Sequence, residues 1–230
     1  MQKRSIWVGY DPRFHSAYDV TVASIRKHSD LSVEPVALGD LGDLYRRPTE
    51  NLGGQLWDTI SDAPMSTEFA ISRFLVPHLA GSGWALFLDC DMLARTDLNA
   101  LFDLADPKYA VMCVKHNHQV QDGDRKAIDQ AQVPYARKNW SSVMLFNCDH
   151  PSNRALTVEL INTVPGRDLH RFCWLKDEEI GELSLEWNWL ANVSPPLATP
   201  KIVHFTEGTP DMPGYENSPY ADEWRELENI

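Results

Sequence analysis

The stretch Gly83-Trp84-Ala85-Leu86-Phe87-Leu88-Asp89-Cys90-Asp91-Met92-Leu93 decides the fold. After a glycine, an apolar run leads straight into two carboxylates spaced one apart. A short unbroken apolar run reads as a strand buried on both faces, at the centre of a sheet. Its charged end then emerges at the carboxyl edge, where open α/β folds place ligands. Two carboxylates there can reach one hard divalent cation. The competing reading makes Asp89 and Asp91 mere caps of the next turn. It leaves unexplained why both acids are fused to the most hydrophobic strand.

Upstream, Ile6-Trp7-Val8-Gly9-Tyr10 reads as a first strand, ending at the turn signal Asp11-Pro12. A helical pattern runs from Phe14 to His28, and Val33 to Leu38 reads as a second strand. Strand, helix, strand in so short a span implies a βαβ unit and a parallel sheet. Asp40 to Pro64 is a polar connector with Gly53-Gly54, too long for a simple turn, so a lid or a surface excursion is expected. Ser66 is placed to cap a helix carrying Ile71, Phe74, Leu75 and His78, with Arg73 on its flank.

Downstream, Asp97 caps a short helix to Leu104, and Tyr109 to Val114 is a strand. His116 to Lys138 is polar and reads as an insertion near the site. Ser142-Val143-Met144-Leu145-Phe146 is a strand stopped by Asn147. Pro151 opens a helix to about Val164. Lys201-Ile202-Val203-His204-Phe205 is a late strand, and Pro219 to Asn229 a terminal helix.

The chain has 230 residues, 43% hydrophobic and 23% charged, which is ordinary globular composition with a sizeable core. The net charge of -12 argues against nucleic acid or an anionic membrane as partner. If the substrate is anionic, a cation must sit in the site, and a metal would serve. Met1-Gln2-Lys3-Arg4-Ser5 leads into too short an apolar run for a signal peptide, and no run approaches membrane-spanning length. Cys90, Cys113, Cys148 and Cys173 show no CxxC spacing, so a reduced, cytoplasmic protein without disulfides is expected. In an acidic chain with no basic patch, His116-Asn117-His118 does not make a nuclease or a metal pair.

The motifs fall in a recognisable order: Tyr10-Asp11 after the first strand, Ser72-Arg73-Phe74-Leu75-Val76-Pro77, then Phe87-Leu88-Asp89-Cys90-Asp91. Ser142-Val143-Met144-Leu145-Phe146-Asn147, Asp177-Glu178, Trp187-Asn188 and His204-Phe205-Thr206-Glu207-Gly208 follow. In this order the chain resembles glycosyltransferases of the GT-A fold, nearest to family 8, the glycogenin and lipopolysaccharide galactosyltransferase group. The resemblance implies one α/β domain over residues 1–230, a Rossmann-like mixed sheet flanked by helices. Its nucleotide-binding half ends near residue 114, and its acceptor-side half follows.

By the same resemblance, Asp89, Asp91 and His204 hold a divalent ion, Mn²⁺ or Mg²⁺, that bridges the phosphates of a nucleotide sugar. The expected donor is UDP-glucose or UDP-galactose, and the expected acceptor carries a hydroxyl. Mixed oxygen and imidazole ligands favour Mn²⁺. Tyr10 and Asp11 would hold the base, Arg73 would face the phosphates or sugar, and Gly208 would admit a phosphate to the backbone. Asp177 and Glu178 would lie beside the transferred sugar. Trp187 and Trp189 flank Asn188; aromatics can form a sugar-stacking wall, though a buried core place is the commoner fate of tryptophan. Two departures stand out. Glu178 replaces a Gln of the family, and Thr209-Pro210 follows Gly208 where relatives often carry a phosphate-reaching Lys. Two other functions compete: a haloacid-dehalogenase-like phosphohydrolase with Asp89 as nucleophile, and a non-catalytic sugar-nucleotide binding module. Leu93, in a place where that hydrolase motif carries Thr or Val, disfavours the first.

Overall fold

The computed structural model describes residues 2–117, 125–126, 130–131 and 137–228. In chain order the first elements are β1 (Arg4–Gly9), α1 (His15–His28), β2 (Val33–Val36), β3 (Thr49–Leu52), β4 (Gln55–Asp58) and β5 (Ala63–Met65). Next come α2 (Phe69–Ser72), α3 (Val76–Ala80), β6 (Trp84–Leu88), β7 (Met92–Ala94), α4 (Asn99–Phe102) and β8 (Val111–Val114). The short pair β9 (Arg125–Lys126) and β10 (Gln130–Ala131) precedes β11 (Val143–Asn147), α5 (Val158–Thr163) and α6 (Gly166–His170). The chain ends in β12 (Ile180–Leu183), β13 (Trp189–Leu190), β14 (Ile202–His204) and α7 (Ala221–Glu228). Most of the stretch from His116 to Lys138, including His118, lies outside the described residues.

The main sheet runs β12-β8-β11-β6-β1-β2. Every residue of β6 and β11 is buried, as the unbroken apolar runs require. β1 lies parallel to β6 and β2, whereas β11 runs antiparallel to both β6 and β8. The sheet is therefore mixed, and strands from both halves of the chain interleave in it. One large core cluster spans it, with Phe69, Phe74, Phe87, Phe146 and Trp187 almost fully enclosed. A smaller cluster joins Val20 of α1 to Val203, Phe205, Trp224 and Leu227.

Some boundaries differ from the sequence reading. The helix expected from Ser66 is broken in two, with a 3-10 turn at Arg73–Leu75 between α2 and α3. Pro77 explains this, because it has no N–H to return to the Arg73 carbonyl. Val76 N–H takes that carbonyl instead. Ser66 is not the cap; Glu68 occupies that position without a side-chain bond. The helix expected from Pro151 is a 3-10 turn to Ala155 followed by α5, which Thr157 caps through Leu160 N–H.

The connector from Asp40 to Pro64 folds as an antiparallel meander, β3-β4-β5. Gly53 and Gly54, both at positive φ (64° and 96°), make its first hairpin turn. The meander is anchored by Arg47 and Asp58, neither of which exposes its side chain. Arg47 donates Nε to Asp58 Oδ1 (3.0 Å) and Nη2 to Oδ2 (2.5 Å). Its Nη1 donates to the carbonyls of Ile161 and Val164 at 2.8 Å each, stitching the meander to the end of α5.

Candidate metal centre and cleft

Asp89, Cys90 and Asp91 form the turn between β6 and β7. Cys90 is 2% exposed and packs in the core, while Asp89 and Asp91 line the cleft and bring ligand atoms close to His204. Thr21 of α1 pins the turn between β6 and β7. Its Oγ1 lies 2.6 Å from the Cys90 carbonyl and accepts from Met92 N–H at 3.0 Å. β14 pairs antiparallel with β7, setting His204 opposite Met92, and Phe205 N–H donates to the Asp91 carbonyl at 2.9 Å. That register, and not proximity in sequence, brings His204 to the acids.

His204 Nε2 lies 3.3 Å from Asp91 Oδ1 and 4.0 Å from Asp89 Oδ2. The ligand atoms of the three residues all fall within 4.8 Å of one another. An ion with bonds of roughly 2.0–2.6 Å keeps its ligands within about 5 Å of each other, so the donor set fits a divalent cation.

The tautomer of His204 follows from its neighbours. Asn188, fully buried, points Nδ2 at the Asn139 carbonyl (3.3 Å) and at Ser142 Oγ (2.9 Å). Ser142 Oγ itself donates to the Asn139 carbonyl at 2.7 Å, so it accepts from Asn188. Asn188 Oδ1 is thus the atom 3.0 Å from His204 Nδ1, and Nδ1 must donate to it. In the neutral ring Nε2 then offers its lone pair toward the acids, as metal-ligating histidines require. The sequence reading included Asn188 in the motif Trp187-Asn188 but gave it no role. Its orienting role depends on a pairing invisible in sequence.

Arg73 is 6% exposed, so it is no solvated helix charge. Its Nη1 sits 2.6 Å from Asp89 Oδ1 and donates to the Ser141 carbonyl at 2.9 Å. The guanidinium stacks 5.0 Å from the Phe87 ring centroid and 5.3 Å from that of Phe69. It fixes one metal-ligand candidate in place while lining the cleft.

The cleft holds about 390 Å³. One wall is the meander, from Asp58 through Thr67; the other is formed by residues 138–142, 166–170 and 205–209. Asp89, Asp91, Arg73 and Gly208 line it. So do Lys138, Arg167 and His170, which the sequence reading did not single out. Lys138 and Arg167 bring to the cleft the cationic charge that the Thr209-Pro210 segment does not supply. Gly208 has a local cause: a Cβ there would meet the Tyr215 ring at 2.5 Å.

Other expected site residues are not brought to the cleft. Tyr10 does not line it and packs edge-on against Tyr18 and His15. Asp11 is fully buried, its carboxylate filled by Arg13 N, Nε and Nη2 and by Glu68 N–H. A carboxylate so saturated has no acceptor left for a base edge. Phe14 and Ala17, just downstream, line the cleft instead. Asp177 and Glu178 precede β12, which pairs parallel with β8 and starts with Ile180 opposite Val111. Val111 faces Phe146 on β11, whereas Leu88 faces Val143, so this is the end of the sheet away from Asp89. Asp177 is 86% exposed and pairs with Arg137 at 2.5 Å. Trp187 and Trp189 are core residues, 0% and 4% exposed, not a stacking wall.

The sheet order, the acids at its carboxyl edge and the cleft beside them define the GT-A fold of glycosyltransferases. Solved structures share it across the whole chain at low identity. The glycosyltransferase GlyE of Streptococcus pneumoniae aligns over 100% of this chain and 61% of its own, at 15% identity and TM-score 0.62. The bifunctional glycosyltransferase WbbM aligns over 100% and 52%, at 15% identity and TM-score 0.57. This chain thus spans little more than half the length of either. The galactosyltransferase LgtC, solved with donor and acceptor sugar analogs, aligns over 98% and 95%, at 12% identity and TM-score 0.57. No protein-family model matches. In sequence, the chain is 44% identical over 229 residues to Protein CDI of Arabidopsis thaliana, covering 95% of this chain and 83% of that protein. It belongs to the same family as Protein CDI.

Proposed function

We propose that this protein is a glycosyltransferase that moves a hexose from a nucleotide sugar to a hydroxyl acceptor. The observation that carries the reading is the gathering of Asp89, Asp91 and His204 at the edge of the cleft. We assign UDP-glucose or UDP-galactose as donor, with Mn²⁺ or Mg²⁺ held by those three residues. Retention at the anomeric carbon and a cytoplasmic location belong to the same reading. Among the described residues, no helix is long and apolar enough to cross a membrane.

A cation bound there supplies Lewis-acid stabilisation of the charge that builds on the departing diphosphate. The chain's own residues do the rest. Arg73 holds Asp89, and Asn188 holds the ring of His204 in its ligating tautomer. Lys138 and Arg167 oppose anionic charge along the cleft, in a protein whose net charge otherwise repels it. The meander and the 205–209 segment both line the cleft that would hold the donor. A phosphohydrolase with Asp89 as nucleophile fits poorly, because Arg73 binds that carboxylate from 2.6 Å.

The test is release of UDP from UDP-glucose and UDP-galactose with Mn²⁺, with and without EDTA. Turnover should need the metal, and Asp91→Ala should lower it by roughly 10²-fold or more, the scale of one lost electrostatic stabiliser. Full activity in excess EDTA overturns the reading, as does hydrolysis of a generic phosphate ester in place of sugar transfer.

A further inference from the structure

Asp177 and Glu178 do not reach the cleft, but other acids line it: Asp58, Asp62, Asp89, Asp91 and Glu207. Asp58 is filled by Arg47 and Ser61. Asp89 and Asp91 converge with His204. Asp62 is exposed and sits at positive φ (47°) just before β5. Glu207 is half-buried, and among the described residues no hydrogen bond or ion pair engages its carboxylate.

The backbone fixes where Glu207 stands. Gly208 N–H donates to the Phe205 carbonyl at 3.1 Å, which closes a turn with Glu207 at its second central position. Phe205 N–H donates to the Asp91 carbonyl at 2.9 Å, so the turn starts at the metal corner. The Phe205 side chain packs in one cluster with Val20 of α1, the helix that also brings Ala17 to the cleft. The Tyr215 ring lies against Gly208, close enough that a Cβ there would meet it. Thr209, next along, is 1% exposed and lines the cleft, and its Oγ1 has no hydrogen-bond partner among the described residues. Buried polar groups are almost always paired. One left unpaired two residues from an unengaged carboxylate points to bonds that a ligand completes.

An ionised carboxylate only accepts hydrogen bonds, so whatever meets it must donate. A diphosphate cannot, since it is anionic and carries acceptors. The donors of a nucleotide sugar are ring hydroxyls, on the ribose at one end of the diphosphate and on the hexose at the other. Both rings adjoin the metal corner from which this turn starts.

We propose that Glu207 binds a hydroxyl pair of the nucleotide-sugar donor. The proposal rests on the glycosyl-transfer reading above and adds to it a group that recognises a sugar ring. Calorimetry in Mg²⁺ tests it, with UDP, 2′-deoxy-UDP, UDP-glucose and UDP-galactose titrated into wild type and Glu207→Gln. If the ring is the ribose, wild type should bind UDP about tenfold more tightly than 2′-deoxy-UDP, the scale of one hydrogen bond to a charged group. Glu207→Gln should then lose that preference. If the ring is the hexose, Glu207→Gln should weaken at least one UDP-sugar by about tenfold and leave UDP and 2′-deoxy-UDP within about twofold of wild type. Ligand preferences that stay the same in the variant, with UDP binding intact, overturn the proposal and leave the donor reading standing. Equal loss across the ligands would then assign Glu207 a supporting role, and equal gain would leave it only a charge that repels the diphosphate. Absence of any Mg²⁺-dependent UDP binding in wild type removes both readings together.

Discussion

Two acidic corners border the same cleft and are built on opposite principles. Asp58 is surrounded by donors: both Arg47 nitrogens and the Ser61 N–H, with no side-chain exposure. Asp89 and Asp91 instead converge with each other and with His204 Nε2, with Arg73 on one oxygen of Asp89. Ligand atoms converging within 4.8 Å of one another suit a divalent cation. A carboxylate saturated by donors holds the fold together. Carboxylates that converge with a histidine oriented by Asn188 make a site. The contrast also separates Asp11 from the site, since its carboxylate is filled in the same way as that of Asp58.

Breaking the Asp58 corner should have the largest effect, and the effect should be on stability. Asp58→Ala leaves the Arg47 guanidinium buried without its partner, which typically costs about 3–5 kcal/mol. Denaturant unfolding should show that loss. Acid should erase it. Burial raises the Asp58 pKa, but Arg47 and Ser61 outweigh that and lower it overall. A depressed folded pKa contributes stability that is complete above the unfolded value of about 3.9 and is lost as pH falls through the folded one. The stability gap between wild type and Asp58→Asn should therefore hold near neutrality and close only below about pH 4. A gap that closes at pH 6 would show that this corner is not held by the ion pair.

Loosening the metal corner should act on affinity and leave stability less changed. Asn188→Ala removes the acceptor that fixes His204, and loss of such an outer partner typically weakens metal binding by about 10–100-fold. Mn²⁺ calorimetry on the folded variant measures this. Unchanged affinity would mean that His204 is a core histidine and that the acids hold the ion alone.

Much of this was legible in the sequence, for a local reason. The central strands are apolar runs that no other element accommodates, so β6, β11 and β14 stand where the pattern puts them. The two acids follow β6 directly, so the end of that apolar run places both at the carboxyl edge of the sheet. The meander was not legible, because β3 is exposed along its length and the anchor of the meander, Arg47, reaches carbonyls more than a hundred residues away. His170 and Lys138 carry no motif; only the packing of α6 and of the turn before β11 brings them to the cleft. Asp177 was misplaced for the converse reason. Its motif matched, but the register of β12 on β8 sets the strand running toward the site edge from the far end of the sheet.

Asp177 therefore gives the smallest expected effect and the sharpest check on that register. It is a third kind of acid, neither saturated nor convergent, 86% exposed with Arg137 as its ion-pair partner. Exposed pairs contribute little to stability, since solvent screens them and two side chains must be held in one geometry. Asp177→Asn keeps the shape and removes the charge. If the carboxylate stood beside the reacting carbon, the loss would fall in the transition state and turnover would drop strongly at unchanged UDP affinity. With the acid at the far end of the sheet, turnover and UDP affinity should both stay within about twofold of wild type, as for an ordinary surface substitution. Turnover is to be compared with that of Asp91→Ala in the same assay. A drop approaching that of Asp91→Ala would mean that the segment before β12 reaches the cleft when donor is bound, and that a carboxylate stabilises the sugar.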